Sequence, residues 1–548
     1  MTNSEPHDLV LQQRGGALQS ISDLNPKCMP LHFTLLFPHG TYGWNQETKH
    51  RDGVRRVTTR EFYVFHMNIR EVDMGNYLHL AGRLFQEWLC MAWVAVENQK
   101  LNYQRMNQKA LRADSYQNIK EATQSKRRQL ALDGDGMFGD DNQQPPVGRK
   151  ILSSSFQGGP RWYNAKFQDG MAICREYHKP DYFITMTCNP HWPEIERELK
   201  VGQKAQDRPD LVARVFKQKK DQLMQDLKTG DLLGEVVAHM HVIEFQKRGL
   251  PHAHILIILA DGDRTLTPDL VDSIVVAELP PAPEDTDDPS EAAQRKRLQD
   301  IVLTNMVHGP CGAENPSCPC MENGRCTKSY PKDFKKKTTV DTDSYYATYR
   351  RRAPEDGGRQ MVCPKTGRTI DNRWIVPYNP YLSLRNNCHI NIERCTSPKA
   401  AKYLYKYITK GSDRAMVATE VEGQPRNEIA DYEDLRSVGS SEAAWHLLAF
   451  SITERYPPVQ ALRIHTEDQQ QVVFDEGTEE EALERQRETE LTAFFQLNSE
   501  LISEETQDIP SLPIYLELPK KYRYASPRRS GFLKKQDMKT LSLEEFTL

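Results

Sequence analysis

The stretch EFQKRGLPHAHILIIL, which runs from Glu244 to Leu259, constrains the fold more than any other part of the sequence. Its apolar half predicts a strand, and KRG at 247–249 suits a three-residue hairpin loop with glycine in the left-handed position. Side chains alternate along a strand, so His252 and His254 share one face. Antiparallel pairing across the loop sets Glu244 opposite His252, which predicts a hairpin with a carboxylate beside two imidazoles.

Glu244, His252 and His254 together form a candidate metal site. Two neutral imidazoles and one carboxylate leave positions open for water and a substrate oxygen. This donor set suits Mg²⁺, Mn²⁺ or another divalent ion and does not demand zinc. The histidine pair taken alone is equally consistent with packing in the sheet. His239 and His241 form a second His-x-His pair, but their parity relative to Glu244 is odd. We expect that pair on the opposite face, as ordinary sheet residues.

Composition restricts the class of protein. The chain has 548 residues and a formal net charge of −4, so several structural units are expected and any nucleic-acid surface must be local. No apolar run approaches the roughly 20 residues of a membrane-spanning helix, and the N-terminus has no apolar signal core. An odd total of 11 cysteines argues against a secreted disulfide framework. We therefore expect a soluble intracellular protein without a membrane partner.

The string SPKAAKYLYKYITKG, residues 397–411, predicts a helix with a serine N-cap and a glycine just past its end. Tyr403 and Tyr407 share one face of it, whereas Tyr405 points elsewhere. An aromatic stripe packed in a core is the alternative, although Lys406 and two further lysines suit a phosphate-rich surface. Tyrosine has a pKa of about 10 and attacks phosphorus effectively only beside a polarising metal. Hairpin and helix together suggest phosphotyrosine-forming strand cleavage.

Residues 321–352 hold nine Lys and Arg against four Asp and Glu, with aromatic side chains interleaved. Basic groups that follow phosphates and aromatics that stack on bases are typical of proteins that hold single strands. A solvated loop is the alternative. The predicted DNA contacts are Lys335, Lys336, Lys337, Arg350, Arg351 and Arg352, together with Lys406 of the predicted helix.

Two further stretches carry structural predictions. From Arg83 the pattern through residue 122 predicts one long amphipathic helix, or two. Residues 279–298 are acidic and proline-rich, which predicts a surface loop.

The chain resembles the Helitron rolling-circle transposases, through their HUH-endonuclease Rep domain, in many strings that occur in order from about residue 8 to about residue 500. These strings include LQQRGGALQSIS, LLFPHGTYGW, SSSFQGGPRWY, YFITMTCNPHWPEI, VIEFQKRGLPHAHIL, MVHGPCGAENPSCPCMENGRCTKSYPKDF, NCHINIERC and KAAKYLYKYITKG.

The resemblance implies an α+β fold, namely an HUH (Rep-type) antiparallel sheet with flanking helices, the metal hairpin at its centre and the tyrosine helix laid across it. It also implies a mainly helical N-terminal region and a Cys-rich insertion. The boundaries that follow are 1–130 for the N-terminal helical region, 150–265 and 371–475 for the two parts of the nuclease domain, 266–370 for the acidic loop with the Cys-rich basic insertion, and 476–548 for a charged C-terminal extension.

The resemblance also implies a function. His252 and His254 fall on the two HUH histidines, Glu244 on an acidic third ligand, and Tyr403 and Tyr407 on the two catalytic tyrosines. The implied reaction is a transesterification on single-stranded DNA at transposon ends, with Mg²⁺ or Mn²⁺ as cofactor and the nucleus as its location. It yields a 5′-phosphotyrosine and a free 3′-OH.

The cysteines within 311–326 are a separate candidate site. Their spacing is not the paired C-x-x-C pattern of a strong zinc site. Cys311, Cys320 and Cys326 fall at positions where the resembling family has cysteines, whereas Cys318 does not. A structural Zn²⁺ held by those three residues and a set of reduced, buried thiols are the two alternatives.

The sequence also departs from the resemblance. It lacks a G-x-x-x-x-G-K-[ST] phosphate loop, so we expect no helicase module here and a helicase supplied by another chain. It also starts too late for an N-terminal zinc-finger-like extension. The expectation is a truncated transposase that nicks DNA, with two alternatives: a catalytically inactive remnant that binds single-stranded DNA, and an unrelated His-x-His hydrolase in which water attacks.

Overall fold

The chain forms two compact units. The first comprises Met1–Lys100, Tyr163–Ala415 and Arg436–Pro457, and the second Leu101–Trp162, Met416–Leu435 and Pro458–Leu548. The computed structural model describes residues 9–12, 14–69, 77–108, 113–115, 151–245, 249–341, 346–364, 366–396, 428–434, 437–466, 471–473, 489–503, 512–524 and 532–534.

A five-stranded antiparallel sheet forms the centre of the first unit. Its strands, in chain order, are β1 (Tyr182–Thr187), β2 (Val236–Phe245), β3 (Pro251–Leu259), β4 (Ile390–Arg394) and β5 (Thr453–Tyr456). Across the sheet the order is β4, β1, β3, β2, β5, and every neighbouring pair is antiparallel. The hairpin of β2 and β3 therefore lies in the middle of the sheet. The prediction of an α+β fold with an antiparallel sheet is confirmed.

Helices account for much of the rest of the described chain. Among them are α1 (Arg83–Met106), α2 (Pro160–Glu176), α3 (Pro209–Lys228), α4 (Pro289–Asn305), α5 (Ser440–Leu447) and α6 (Glu490–Ser503). Further helices lie at Cys28–His32, Thr59–Met67, Pro193–Glu196, Pro268–Ile274, Pro380–Asn386, Glu428–Asp434 and Leu518–Lys521. No helix in the described ranges is long and apolar enough to span a bilayer.

Alternate side chains of each strand face the main hydrophobic core, because successive side chains of a strand point to opposite faces. Ile255 and Ile257 of β3 lie in the main hydrophobic core of the first unit, with Ile184 of β1 and Ile392 of β4. Helix α3 supplies Phe216 to the same core, and α1 and α5 contribute Trp88 and Trp445 in turn. The residues of β3 that point the other way include both histidines of its His-x-His pair, so the candidate site lies on the opposite face.

Small two-stranded sheets complete the described architecture. In the first unit they pair Leu9–Gln12 with Leu18–Ile21, Met321–Glu322 with Arg325–Cys326, and Gln360–Val362 with Thr369–Asp371. In the second unit they pair Ala113–Ser115 with Gln471–Val473, and Tyr522–Tyr524 with Phe532–Lys534. The second unit also has two apolar clusters, one around Leu152 and Tyr432 and one around Phe494 and Leu518.

Two local predictions need correction. The helix predicted from Arg83 is observed as far as Met106, but residues 113–115 form a strand rather than a continuation of it. Residues 113–115 form a strand because they pair with residues 471–473. A partner so distant in the sequence gives no periodic pattern around 113–115 from which the strand could be predicted. The acidic loop predicted at 279–298 is likewise wrong from residue 289 onward, because α4 begins there with Pro289 at its first turn and the Asp288 side chain accepting from the Ser290 N–H.

Candidate functional site

The hairpin of β2 and β3 has the register predicted from the sequence. Glu244 lies opposite His252, and Val242 lies opposite His254. Gly249, the last residue of the predicted loop, has φ 82°, the left-handed conformation expected of it. The carboxylate and both imidazoles therefore share one face of the sheet.

Glu244 and His254 are in direct contact. Oε2 of Glu244 lies 3.0 Å from Nε2 of His254, and both side chains are largely shielded from solvent. His252 is buried, and that burial, reinforced by the charges of His254 and His389 and opposed by Glu244, lowers its pKa to about 4. At neutral pH His252 is therefore an uncharged imidazole, which is the form that binds metal ions.

Two threonines of β1 set the orientation of the imidazoles. The hydroxyl of Thr187 lies 2.8 Å from Nδ1 of His252, and that of Thr185 lies 3.2 Å from Nδ1 of His254. A hydroxyl at Nδ1 leaves Nε2 as the nitrogen available to a cation, which is the usual arrangement around metal-binding histidines. Sequence reasoning missed both threonines, although their alternation in YFITMT was a usable signal.

His389 extends the same row of residues to the edge of the sheet. The Thr187 N–H donates to the His389 carbonyl at 2.9 Å, so His389 follows Thr187 and His252 across the strands. Burial lowers the pKa of His389 to about 4. Its place in the row was also missed, because β4 is far from the hairpin in sequence.

The second histidine pair lies on the opposite face, as its parity predicted. His241 pairs with Ile255, whose side chain is in the main core, and its Nε2 lies 3.2 Å from Nζ of the buried Lys220. Burial lowers the pKa of His241 well below its ordinary value, and the Lys220 charge lowers it further. Burial also lowers the pKa of His239 to about 4. This pair is part of the interior between the sheet and α3.

The hairpin lies within a recognised domain. Residues 62–257 match the family model described as "Helitron helicase-like domain at N-terminus". The chain is related to the Helitron transposases. All three candidate ligands, Glu244, His252 and His254, fall inside the matched residues. No curated protein matches the chain.

The two tyrosines predicted as nucleophiles in this Helitron-related chain, Tyr403 and Tyr407, lie outside the described residues, and so does Lys406. The strand that precedes their predicted helix is described: β4 ends at Arg394, and Cys395 continues its pairing by donating its N–H to the carbonyl of Asp181 at 2.8 Å.

The cysteines of the insertion come together with a histidine. Cys311, Cys320 and Cys326 place their sulfurs, together with a ring nitrogen of His308, all within 4.8 Å of one another. The fourth cysteine, Cys318, has its sulfur 3.5 Å from that of Cys320 but is not one of this group. The arrangement is compatible with a structural metal. His308 was missed, although it stands three residues before Cys311 in the sequence.

The predicted DNA contacts differ in their surroundings. Lys335, Lys336 and Lys337 are exposed, with Lys336 paired to Asp356 at 2.7 Å. Arg350 and Arg352 remain partly exposed and pair with Glu278, Arg352 through two hydrogen-bonding nitrogens.

Arg351 is different from its neighbours because its side chain is buried. Its Nη1 donates to the carbonyls of Ala277, Asn372 and Ile375 at 3.1, 2.6 and 2.7 Å. Three carbonyls held by one guanidinium make Arg351 a structural residue of the insertion, so we do not retain it as a DNA contact.

Proposed function

We propose that this chain is a metal-dependent endonuclease and transesterase of a Helitron-type rolling-circle transposon, acting on single-stranded DNA in the nucleus. The observation that carries the proposal is the position of Glu244, His252 and His254, side by side on one sheet face within the matched residues 62–257. The family relation supports an enzyme that acts on nucleic acid, and the three donors support metal-assisted chemistry at phosphate.

The donors suit a divalent cation. With threonine hydroxyls at both Nδ1 atoms, a cation would be held by the two Nε2 atoms and the Glu244 carboxylate, and it would replace the present contact between His254 Nε2 and Glu244. Such a mixed nitrogen and oxygen set can accommodate Mg²⁺ or Mn²⁺ with open positions for phosphate oxygens. When bound, the ion would polarise the scissile phosphate and offset the negative charge that develops during attack.

Tyr403 and Tyr407, assigned by the resemblance, are the proposed nucleophiles. A tyrosine hydroxyl loses its proton and its oxygen bonds to phosphorus, while the bond from phosphorus to the 3′ oxygen breaks and that oxygen leaves as a 3′-hydroxyl. One phosphodiester is exchanged for another, so joining consumes no energy cofactor. A second tyrosine permits a second cleavage and hence strand transfer.

The single strand would be held by basic side chains of the insertion. Lys335 and Lys337 are exposed and suit phosphate contacts, and Lys336, Arg350 and Arg352 would have to exchange a carboxylate partner for phosphate. We propose transposon-end DNA as the partner, with unwinding supplied by a helicase on another chain.

The test is cleavage of labelled single-stranded oligonucleotides with Mn²⁺ or Mg²⁺, read on a denaturing gel for a covalent protein–DNA adduct. We expect an adduct with the unsubstituted chain and none with Tyr403→Phe/Tyr407→Phe. Tyr405→Phe is the matched control, because it removes a hydroxyl from the same predicted helix without touching the proposed face, and it should leave the adduct intact. Glu244→Gln should lower cleavage and raise the metal concentration required.

The alternatives give different gels. Cleavage without an adduct, unchanged in the double tyrosine variant, would identify a hydrolase in which water attacks. Binding of the oligonucleotide without cleavage in either metal would identify a catalytically inactive single-stranded-DNA-binding protein. Either result would overturn the transesterase proposal.

A further inference from the structure

The segment from Gly312 to Ser329 has no interior of its own. Every residue in it is partly or fully exposed, although its backbone follows a defined path through a short hairpin. A segment that excludes so little water gains almost nothing from apolar burial, and small units of this kind usually depend on a disulfide or a metal. The cysteines here are free thiols.

Four ligand atoms meet at the base of this segment. The His308 ring nitrogen and the sulfurs of Cys311, Cys320 and Cys326 all lie within 4.8 Å of one another, and Nε2 of His308 is 3.4 Å from the Cys326 sulfur. A tetrahedral zinc ion, with Zn–S bonds of about 2.3 Å and a Zn–N bond of about 2.0 Å, separates its ligand atoms by roughly 3.5 to 3.8 Å. The 3.4 Å separation and the 4.8 Å upper limit on the others are compatible with such a site.

The backbone is folded around the sulfurs. Asn323 and Gly324, with φ 49° and 74°, make the tight turn between the two short strands and so return the chain toward Cys320. After Cys326 the backbone N–H groups of Lys328 and Tyr330 are directed at its sulfur. Backbone N–H groups directed at a ligand atom are outer-shell contacts of the kind that orient metal ligands.

We infer that His308, Cys311, Cys320 and Cys326 hold one structural Zn²⁺. Three soft thiolates and an imidazole select zinc over the Mg²⁺ or Mn²⁺ that suits the hairpin site. Four protein ligands complete a tetrahedron and leave no position for water or substrate, so the ion stabilises structure and takes no part in the reaction. The inference does not depend on the proposed nuclease activity.

The ion also fixes residues that lie beyond the segment itself. The His308 ring stacks on that of Tyr330 with centroids 4.1 Å apart and planes 15° apart. The Tyr330 hydroxyl accepts a hydrogen bond from the buried Arg351. The backbone N–H of His308 donates to the carbonyl of Trp374 at 2.9 Å. Zinc binding at His308 would therefore connect the Cys-rich segment to Arg351 and to the backbone at Trp374.

The metal content of the purified full-length chain tests the inference. We expect about one zinc per chain by mass spectrometry of the metal, reduced to near zero in Cys326→Ser and in His308→Ala. Cys318→Ser is the matched control, since that sulfur neighbours Cys320 but lies outside the four, and it should retain the zinc. His252→Ala should retain it too, which separates this site from the hairpin.

A measurement on the unsubstituted chain covers the case in which the variants fail to fold. Replacement of the metal by Co²⁺ should give the intense sulfur-to-cobalt charge-transfer band and the visible bands of a tetrahedral ion. Three results would each overturn the inference. These are zinc retained in both Cys326→Ser and His308→Ala, a folded chain without zinc, and a cobalt spectrum without sulfur bands.

Discussion

Lowering the pH from 7 to 5 should destabilise the sheet, because His239 is held there as an uncharged imidazole. Its pKa falls from 6.5 to about 4, first through burial and then through the charges of Lys228 and Lys220. The folded value lies below the unfolded one, so the unfolded chain takes up the proton first as the pH drops. Stability is therefore unaffected well above pH 6.5, falls below it, and reaches its full loss below about pH 4.

The size of the effect follows from the two pKa values. At pH 5 an unfolded histidine with pKa 6.5 is almost fully protonated, whereas His239 with pKa about 4 is almost fully neutral. The difference corresponds to about 2 kcal/mol of unfolding free energy for this one side chain. The residue is 5 % exposed, so solvent screens little of that cost. His252 and His389, each with a pKa near 4, add to the loss in the unsubstituted chain.

Urea unfolding at pH 7 and pH 5, followed by the fluorescence of the buried Trp192 and Trp445, measures this loss. His239→Gln should reduce the difference in stability between the two pH values by about 2 kcal/mol. Comparing differences removes any offset that the substitution causes at both pH values. The exposed His39, changed to Gln, is the control and should leave the difference unaltered. Equal losses in His239→Gln and the unsubstituted chain would refute the assignment of His239 as a buried neutral group.

Three further predictions follow from the same structure. Thr187→Val removes the hydroxyl 2.8 Å from Nδ1 of His252 with little change in shape, and Mn²⁺ affinity by titration calorimetry should fall about 10- to 100-fold; unchanged affinity would mean that the threonine does not orient the ring. Arg351→Met leaves three carbonyls without their donor and should lower the free energy of unfolding by at least about 3 kcal/mol. Weaker DNA binding at unchanged stability would contradict the structural role of Arg351. The double variant Lys335→Met/Lys337→Met should keep full stability and bind single-stranded DNA more weakly. The slope of log affinity against log salt concentration should decrease in magnitude by about 1.4. An unchanged slope would exclude both lysines from the phosphate contacts.

Much of the hairpin was predictable because its signals are local. In a strand PHAHILIIL, both histidines lie on one face regardless of the rest of the fold. The glycine in KRG fixes the length of the hairpin loop and thereby the register of the two strands. That register alone brings Glu244 to His252. Two further strands also have local signals. NCHINIERC alternates apolar and polar residues, and YFITMTCNP is rich in β-branched and aromatic residues and stops at Asn-Pro.

The Cys-rich insertion shows where local signals were insufficient. A run of three arginines is read from sequence as one basic surface, yet the middle side chain is buried and holds three carbonyls. An acidic, proline-rich composition predicts a loop, yet a helix begins within it and packs Val302 and Leu303 into an apolar cluster. Tertiary burial decides these cases, because it selects among conformations that local composition permits.

The sequence by itself determined which side chains share a face of each strand and of each predicted helix. Only the tertiary structure decided which strands are neighbours, and hence that Thr187 and His389, from strands far apart in the chain, lie in one row with His252. The same holds for His308, whose role among the cysteines depends on a turn and a stacked tyrosine. Strand order and the clustering of ligands are non-local, because they are set by burial and pairing between distant segments. The sequence of one such segment does not indicate which other segment it contacts.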